Sequence, residues 1–187
     1  MWVGFVLVAV GIALVYVYNR LVALGRRADG AWADIDTQLK RRHDLVPALV
    51  ETVKGYAAHE RETLEEVVAR RTVAQQSSGR PDGKAQQAEN GLAIAMRGLF
   101  ALAEDYPDLR ASERFANLQT QLVEIEDALQ AARRYYNAVV RDLNTLVASF
   151  PTLLVAGRFG FVRRDFFELE SPLERQAPEA KFDERIR

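Results

Sequence analysis

The first 19 residues of the chain carry no charged side chain and are almost entirely apolar. As an α-helix rising about 1.5 Å per residue, residues 2–19 would span roughly 27 Å, close to the ~30 Å hydrocarbon core of a bilayer. Aromatic rings favour the two interfaces of a membrane, and a long basic side chain at a helix end reaches the headgroups. Candidate anchoring residues of both kinds are Trp2, Tyr16, Tyr18 and Arg20. We therefore predict a transmembrane anchor over residues 1–24.

A cleaved signal peptide is the competing interpretation of this stretch. It requires a basic N-terminal region and a small-residue cleavage site, yet no Lys or Arg precedes Arg20 and residues 15–18 are bulky. We therefore expect the anchor to be retained. Arg26 and Arg27 follow the span closely. The positive-inside rule then predicts a single-pass protein of the inner membrane, with its N-terminus outside and its C-terminal domain in the cytoplasm.

The clearest helix outside the anchor runs from Ser112 to Ser149, and Pro151 ends it. Ser112 can cap its first turn. Apolar residues recur along it in alternating steps of three and four, at Phe115, Leu118, Leu122, Ile125, Leu129, Ala132, Tyr136, Val139, Leu143, Leu146 and Phe150. A coiled-coil-like seam of this length has to be buried against helices of similar length.

An earlier apolar stripe begins directly after the anchor and continues towards Gln76, at Ala28, Trp32, Ile35, Leu39, Val46, Leu49, Val53, Tyr56, Leu64, Val67 and Val68. Two interpretations of its middle stay open. Either Asp44 caps a new helix with Pro47 in its first turn, or one long helix is kinked at Pro47. Because a continuous rod to Gln76 would outrun its partner helices, we expect a break.

The remaining segments complete a helical domain. A polar loop over residues 77–83 precedes a shorter helix over residues 85–104, and a turn follows at residues 106–108. We predict an all-α protein, in which an N-terminal transmembrane helix leads into an up-and-down bundle of about four long, coiled-coil-like helices over residues 25–150. Residues 151–187 are expected to form an apolar and basic segment followed by an extended tail rich in proline and charge.

The sequence offers no convincing catalytic, metal or cofactor site, so we expect the protein not to be an enzyme. The chain has 2 histidines and no cysteine. The run from His59 to Thr63 lacks the second histidine of the zinc-protease motif, and we expect both histidines, His43 and His59, to be exposed. Di-metal carboxylate bundles need a Glu-x-x-His motif, which is missing. A solvated charged face is therefore expected for Glu51, Glu60, Glu62, Glu65 and Glu66.

Two basic clusters are candidate surfaces for a partner or for anionic lipid. The first comprises Lys40, Arg41, Arg42, His43 and Asp44, for which a solvated helix end is the alternative. Arg42 also falls on the apolar stripe, where it could be tucked beside Asp36 or Asp44.

The second cluster lies among phenylalanines after Pro151 and comprises Arg158, Arg163 and Arg164. Contact with the membrane interface or with the end of the bundle is expected there. A nucleic-acid partner is not expected, because 25 basic residues are balanced by 26 acidic ones.

Several runs of the chain resemble the LemA family, namely residues 18–22, 31–47, 51–60, 135–144, 150–151, 155–157 and 159–161. The resemblance implies a single-pass membrane protein with a cytoplasmic helical bundle and no accepted enzyme activity. It also implies a role at the cell envelope, where members have been linked to magnetosome formation and to protease-like or phosphatase-like membrane partners. The family has no catalytic residues to carry over.

These observations lead to one functional prediction and two alternatives. We predict a membrane-anchored, non-enzymatic scaffold or adaptor at the cell envelope that presents a cytoplasmic surface to a membrane-protein partner. The alternatives are a regulatory subunit of a membrane protease and a sensor of anionic lipid surfaces. Membrane lipids are expected partners in each case, and a homo-oligomer is a further option.

The predicted topology can be tested with two tags. A tag after Arg187 should resist protease in intact spheroplasts, whereas a reporter before Met1 should be accessible, because the positive charges follow the span. Permeabilised spheroplasts, in which both tags should be cleaved, are the control. Cleavage of the C-terminal tag without permeabilisation would contradict the predicted orientation.

Overall fold

The computed structural model describes residues 2–77, 79 and 83–168 of the 187-residue chain. These residues form six helices and no strand: α1 (Trp2–Lys54), α2 (Arg61–Ser77), α3 (Gly83–Glu104), α4 (Pro107–Arg110), α5 (Glu113–Ala148) and α6 (Thr152–Phe159). The expected all-α bundle is confirmed. The predicted tail from residue 169 onwards lies outside the described residues.

Helix α1 is continuous from Trp2 to Lys54, so the expected break between Asp44 and Pro47 is wrong. A proline inside a helix leaves the carbonyl four residues earlier without its usual donor. Here that carbonyl belongs to His43, and Nε of Arg71 on α2 donates to it at 2.6 Å. A contact from a distant helix thus satisfies the group that a break would have exposed to water. The chain turns instead over residues 55–60, before α2 begins.

The seam predicted on α5 is the face that packs on α1, and the two helices are antiparallel. The exception is Phe150, which follows the end of α5 and is exposed. Leu21 and Leu24 cluster with Leu143, and further along α1 Ile35 and Leu39 cluster with Leu129. In the distal half, residues 46–53 of α1 join residues 115–122 of α5 in a cluster that also contains buried side chains of α2 and α3. Ser112 caps α5 as expected, since its Oγ accepts a hydrogen bond from the backbone N–H of Phe115 at 3.5 Å.

Among the described helices, α1 alone is long and apolar enough by itself to cross a membrane. Its large apolar side chains from Trp2 to Tyr16 are exposed, whereas Leu21 and Leu24 are buried against α5 and α6. The end of α5 and α6 together carry a second apolar stretch, but the two helices are bent by 98° at their junction. One helix therefore passes from the exposed apolar segment directly into the core of the bundle.

The C-terminal part of the described chain folds back along this pair of helices. The ring of Tyr18 on α1 meets Phe159 at the end of α6, with 4.9 Å between ring centroids. The segment over residues 161–168 has no regular secondary structure and returns along α5. Near its end, Phe167 is buried against Trp32 of α1 and Tyr136 of α5. This segment closes the side of the bundle nearest the exposed apolar end.

Candidate functional site

Four ionisable side chains meet within the bundle, and three of them are buried in its interior. Nη2 of Arg42 on α1 pairs with Oε2 of Glu89 on α3, and Nη1 of Arg42 lies 3.2 Å from Oε2 of Glu126 on α5. Nε2 of His43 is 2.8 Å from the other carboxylate oxygen of Glu89. Arg42 and His43 are 3% exposed and Glu89 is 1% exposed. We call Arg42, His43, Glu89 and Glu126 the ion cluster.

The ion cluster arises because two charged residues occupy core positions of their helices. Arg42 follows Ile35 and Leu39 on the buried stripe of α1, and Glu89 lies on the buried stripe of α3 between Ala85 and Leu92. A buried charge is costly unless an opposite charge and hydrogen bonds compensate it. The two residues compensate each other and thereby link α1 to α3.

Glu89 is held in its charged form. Burial acts to raise the pKa of its carboxyl group, but the hydrogen bond to His43 and the positive charge of Arg42 outweigh burial. The net effect is a pKa below the ordinary value of 4.5. Glu89 is therefore a carboxylate at neutral pH, and its negative charge balances the guanidinium group of Arg42.

The first predicted basic cluster is divided by the structure. Lys40, Arg41 and Asp44 are exposed, whereas Arg42 and His43 point into the bundle. Consecutive residues on a helix are separated by about 100°, so a run of five cannot share one face. Only the exposed three lie on a surface that a partner can reach.

Two further expectations about this cluster are corrected. His43 is buried, contrary to the expectation that both histidines are exposed, while His59 is exposed as expected. The carboxylates that pair with Arg42 are Glu89 and Glu126 rather than Asp36 or Asp44. Asp44 does not cap a new helix, because α1 continues through it, and its side chain is exposed.

Sequence reasoning missed Glu89, although a signal for it exists. Glu89 stands in an apolar stripe of α3 with steps of four and three, at Ala85, Glu89, Leu92, Met96, Leu99 and Ala103. Arg42 interrupts the stripe of α1 in the same manner. Opposite charges at core positions of two helices predict that the helices pair at that level.

The second basic cluster lies at the other end of the bundle and is also divided. Arg158 on α6 and Arg163 are exposed. Nη1 of Arg164 lies 2.6 Å from Oδ1 of Asp29 on α1. Because α6 packs beside Tyr18, Arg158 lies near the exposed apolar part of α1 rather than near the ion cluster.

A groove of about 770 Å³ lies between α3 and α5, and Arg42 forms part of its wall. Its apolar lining includes Ala93, Met96, Phe100, Leu122 and Val123, and its charged lining consists of Arg42, Arg97, Glu126, Arg133 and Arg134. Glu89 already balances the charge of Arg42, but the other arginines of the lining still outnumber its one described carboxylate, Glu126. This positive balance favours an occupant with apolar and acidic groups. No group of three or more His, Cys, Asp or Glu in the described part of the chain could hold a metal ion.

Fold and site together define an all-α protein in which a helix of membrane-spanning length continues into a bundle with a buried ion cluster. The sequence profile of the LemA family matches residues 31–182, so the chain belongs to the LemA family. The resemblance noted from the sequence is thereby confirmed.

Three relatives show how distant the similarity is. Magnetosome protein MamQ 2 of Paramagnetospirillum magneticum is 24% identical over 175 residues, which cover 81% of this chain and 64% of that protein. Magnetosome protein MamQ of Magnetospirillum gryphiswaldense is 24% identical over 185 residues, covering 86% and 68%. Protein LemA of Metamycoplasma hominis is 27% identical over 159 residues, covering 84% and 71%. The chain thus spans less than two thirds of the length of MamQ 2.

The ion cluster predicts a large loss of stability in Glu89→Gln. The substitution keeps the shape of the side chain but leaves the buried guanidinium group of Arg42 with only the half-exposed Glu126 as a partner. Breaking a buried ion pair in this way costs about 3–5 kcal/mol. Glu66→Gln is the matched control, because the pair of Glu66 with Arg70 is exposed and worth at most about 1 kcal/mol. Urea unfolding at neutral pH measures both changes.

Acidification provides a second readout of the same prediction. The pKa of Glu89 is lowered in the folded protein. Its contribution to the free energy of unfolding is therefore fully present above the ordinary pKa of 4.5, and it is lost as the pH falls through the pKa of the folded protein. The stability difference between the wild type and Glu89→Gln should therefore shrink below pH 4.5. Equal stability of Glu89→Gln and Glu66→Gln at neutral pH would contradict the role given to the ion cluster.

Proposed function

We propose that this protein is a membrane-anchored, non-enzymatic adaptor that holds an exposed basic surface at a fixed height above the inner membrane for a membrane-protein partner. The observation that carries the proposal is the continuity of α1. The same helix provides the exposed apolar segment over residues 2–16 and the core residues Leu39, Val46 and Leu49. Anchor and bundle therefore form one rigid unit without a linker.

The height of the basic surface follows from the geometry of α1. Lys40 and Arg41 lie about 20 residues beyond Arg20, and at about 1.5 Å per residue this separation is roughly 30 Å. Exposed charges are largely screened beyond a Debye length, which is about 8 Å at physiological ionic strength. An upright bundle would therefore keep Lys40 and Arg41 outside the field of the lipid headgroups. This distance favours a protein partner over lipid for these two residues.

The composition of the groove and of the basic surface supports binding rather than catalysis. Catalysis by a nucleophile requires a base within hydrogen-bond distance of it. Among the described residues, Glu126 is the only carboxylate that lines the groove, and it pairs with Arg42. The chain belongs to the LemA family and is similar to magnetosome proteins such as MamQ 2, and both findings support a membrane setting. A cytoplasmic position of the bundle remains part of the proposal.

The adaptor function predicts that Lys40→Gln combined with Arg41→Gln lowers capture of the cross-linked membrane-protein partner by about tenfold, which corresponds to about 1.4 kcal/mol. The measurement is quantitative recovery of the full-length protein and its cross-linked partner from native membranes. Stability should change by only about 0.5 kcal/mol per substitution, because both side chains are exposed.

Arg110→Gln combined with Arg114→Gln is the matched control, since these two arginines are also exposed but lie at the distal end of the bundle. The control should capture the partner as the wild type does. Equal capture by both double variants would remove Lys40 and Arg41 from the proposed surface.

A contact of α6 with anionic lipid is a second candidate function, and one observation favours it. Helix α5 is antiparallel to α1, and α6 is bent away from α5 by 98°. A membrane crossed by α1 would therefore lie roughly parallel to α6, at the level of Tyr18. Phe150, Leu154, Phe159 and Val162 are exposed there, as are Arg158 and Arg163. Apolar residues beside basic ones are typical of interfacial helices.

This second function predicts that α6 is protected by a bilayer. Because the chain has no cysteine, Leu154→Cys provides a single reactive site in the full-length protein. In nanodiscs with anionic lipid, a water-soluble maleimide should label it about tenfold more slowly than Val68→Cys, an exposed position on α2. About 1 kcal/mol of attraction is expected from each arginine near an anionic surface. Arg158→Gln with Arg163→Gln should therefore weaken the protection, and equal labelling of the two cysteines would exclude the contact.

A further inference from the structure

Helices α3 and α5 run antiparallel, in a defined register, on the two sides of the groove. Glu89 of α3 and Glu126 of α5 meet at the same guanidinium group, that of Arg42. Further along, the ring of Phe100 on α3 packs on the ring of Phe115 on α5, with 6.1 Å between ring centroids. Phe100 follows Glu89 by the same number of residues as Phe115 precedes Glu126. These two contacts therefore determine which residues of the two helices lie at the same level.

The register places two arginines towards opposite ends of the groove. Arg97 is eight residues beyond Glu89 on α3, and Arg134 is eight residues beyond Glu126 on α5, which runs the other way. At about 1.5 Å per residue, the two arginines are roughly 24 Å apart along the helix axes. Both side chains are exposed, and neither forms an ion pair with a described residue. Each end of the groove thus offers a positive charge to an occupant.

The groove offers apolar surface between these two charges. Met96 of α3 and Leu122 of α5 are buried lining residues, and Val123 beside them is 56% exposed. Helix α3 packs chiefly on α2, and α5 packs chiefly on α1. Packing among the described helices therefore leaves the space between α3 and α5 open to a further helix.

We propose that the groove binds an amphipathic α-helix of a partner protein that carries acidic side chains near both of its ends. The apolar stripe of this helix faces Met96 and Leu122, and its acidic side chains pair with Arg97 and Arg134. An amphipathic helix that lays its apolar face into a hydrophobic groove is a recurring mode of recognition, and complementary charges add specificity to it. The groove lining on α5 covers residues 119–137, about 27 Å, which is the length of a helix of about 18 residues.

The distance between the two arginines distinguishes this occupant from a single-chain anionic lipid. Such a lipid has one charged group, which reaches only one of two arginines that are about 24 Å apart. A helix presents side chains along its whole length and can pair with both. Glu126 does not oppose an acidic occupant, because it pairs with Arg42. The proposal does not depend on the adaptor function, since Lys40 and Arg41 do not line the groove.

The probe is a synthetic, hydrocarbon-stapled helical peptide of about 18 residues. It has leucine at heptad spacing along one face and glutamate beside that face in the first and last turns. Its matched control has lysine in place of each glutamate. Fluorescence anisotropy measures the binding of each labelled peptide to the purified full-length protein in nanodiscs of uncharged lipid, and binding to empty nanodiscs is subtracted.

We expect the protein to bind the acidic peptide at least about tenfold more tightly than the lysine peptide, which corresponds to about 1.4 kcal/mol. Arg97→Glu combined with Arg134→Glu should reverse this preference, because the lysine peptide then meets two carboxylates. Arg61→Glu combined with Arg114→Glu changes the net charge equally at exposed residues outside the groove lining, and it should keep the wild-type preference. Failure of the first double variant to reverse the preference would overturn the proposal.

The place of binding is checked by cysteine labelling, which is specific because the chain has no native cysteine. The bound acidic peptide should slow the reaction of Val123→Cys with a water-soluble maleimide, while the reaction of Val68→Cys on α2 should be unchanged. Equal effects on the two cysteines would overturn the proposal. Dodecanoate is the probe for the lipid alternative. Protection of Val123→Cys by dodecanoate but not by the peptide would also overturn the proposal, because the occupant would then be an anionic amphiphile.

Discussion

One turn of α1 makes polar contacts with each of the other long helices. Arg42 pairs with Glu89 of α3 and with Glu126 of α5. The carbonyl of the adjacent His43 accepts a hydrogen bond from Arg71 of α2. A buried guanidinium group is stable only where carboxylates meet it, so the cost of burying Arg42 constrains where α3 and α5 can lie. The bundle depends on this single level of α1.

The apolar seam alone would leave the register of the helices less well defined. Heptad repeats of leucine, valine and alanine can pair in several shifted registers, whereas a single buried polar residue disfavours every register in which it lacks a partner. Only one register of α1 and α3 pairs Arg42 with a buried carboxylate, because Glu89 is the one buried carboxylate of α3. The bond from Arg71 to His43 adds a second constraint at the same level, since it satisfies the carbonyl that Pro47 leaves without a donor.

The continuity of α1 relates the two ends of the bundle to a membrane. Arg158 lies beside the exposed apolar part of α1, whereas Lys40 and Arg41 lie about 30 Å further along the helix. Charges so far apart do not act on the same surface at physiological salt, because screening reduces their field within about 8 Å. The proposed function therefore assigns different partners to the two basic clusters, although they look alike in the sequence.

The sequence by itself determined the features that depend on local pattern. The apolar run predicted the exposed part of α1, and the heptads predicted α5 from its Ser112 cap to its end near Pro151. Both follow because helix periodicity and chain length are properties of neighbouring residues. The family was likewise evident from runs of consecutive residues.

Only the tertiary structure decided the conformation and burial of residues whose partners are distant in the chain. Pro47 would favour a break, but α1 continues because Arg71, 28 residues beyond His43, supplies the missing donor. His43 is buried because Glu89 approaches from α3. The choice between a surface site and a core position depended on which charges another helix brought to the same level. No local pattern of α1 contains that information.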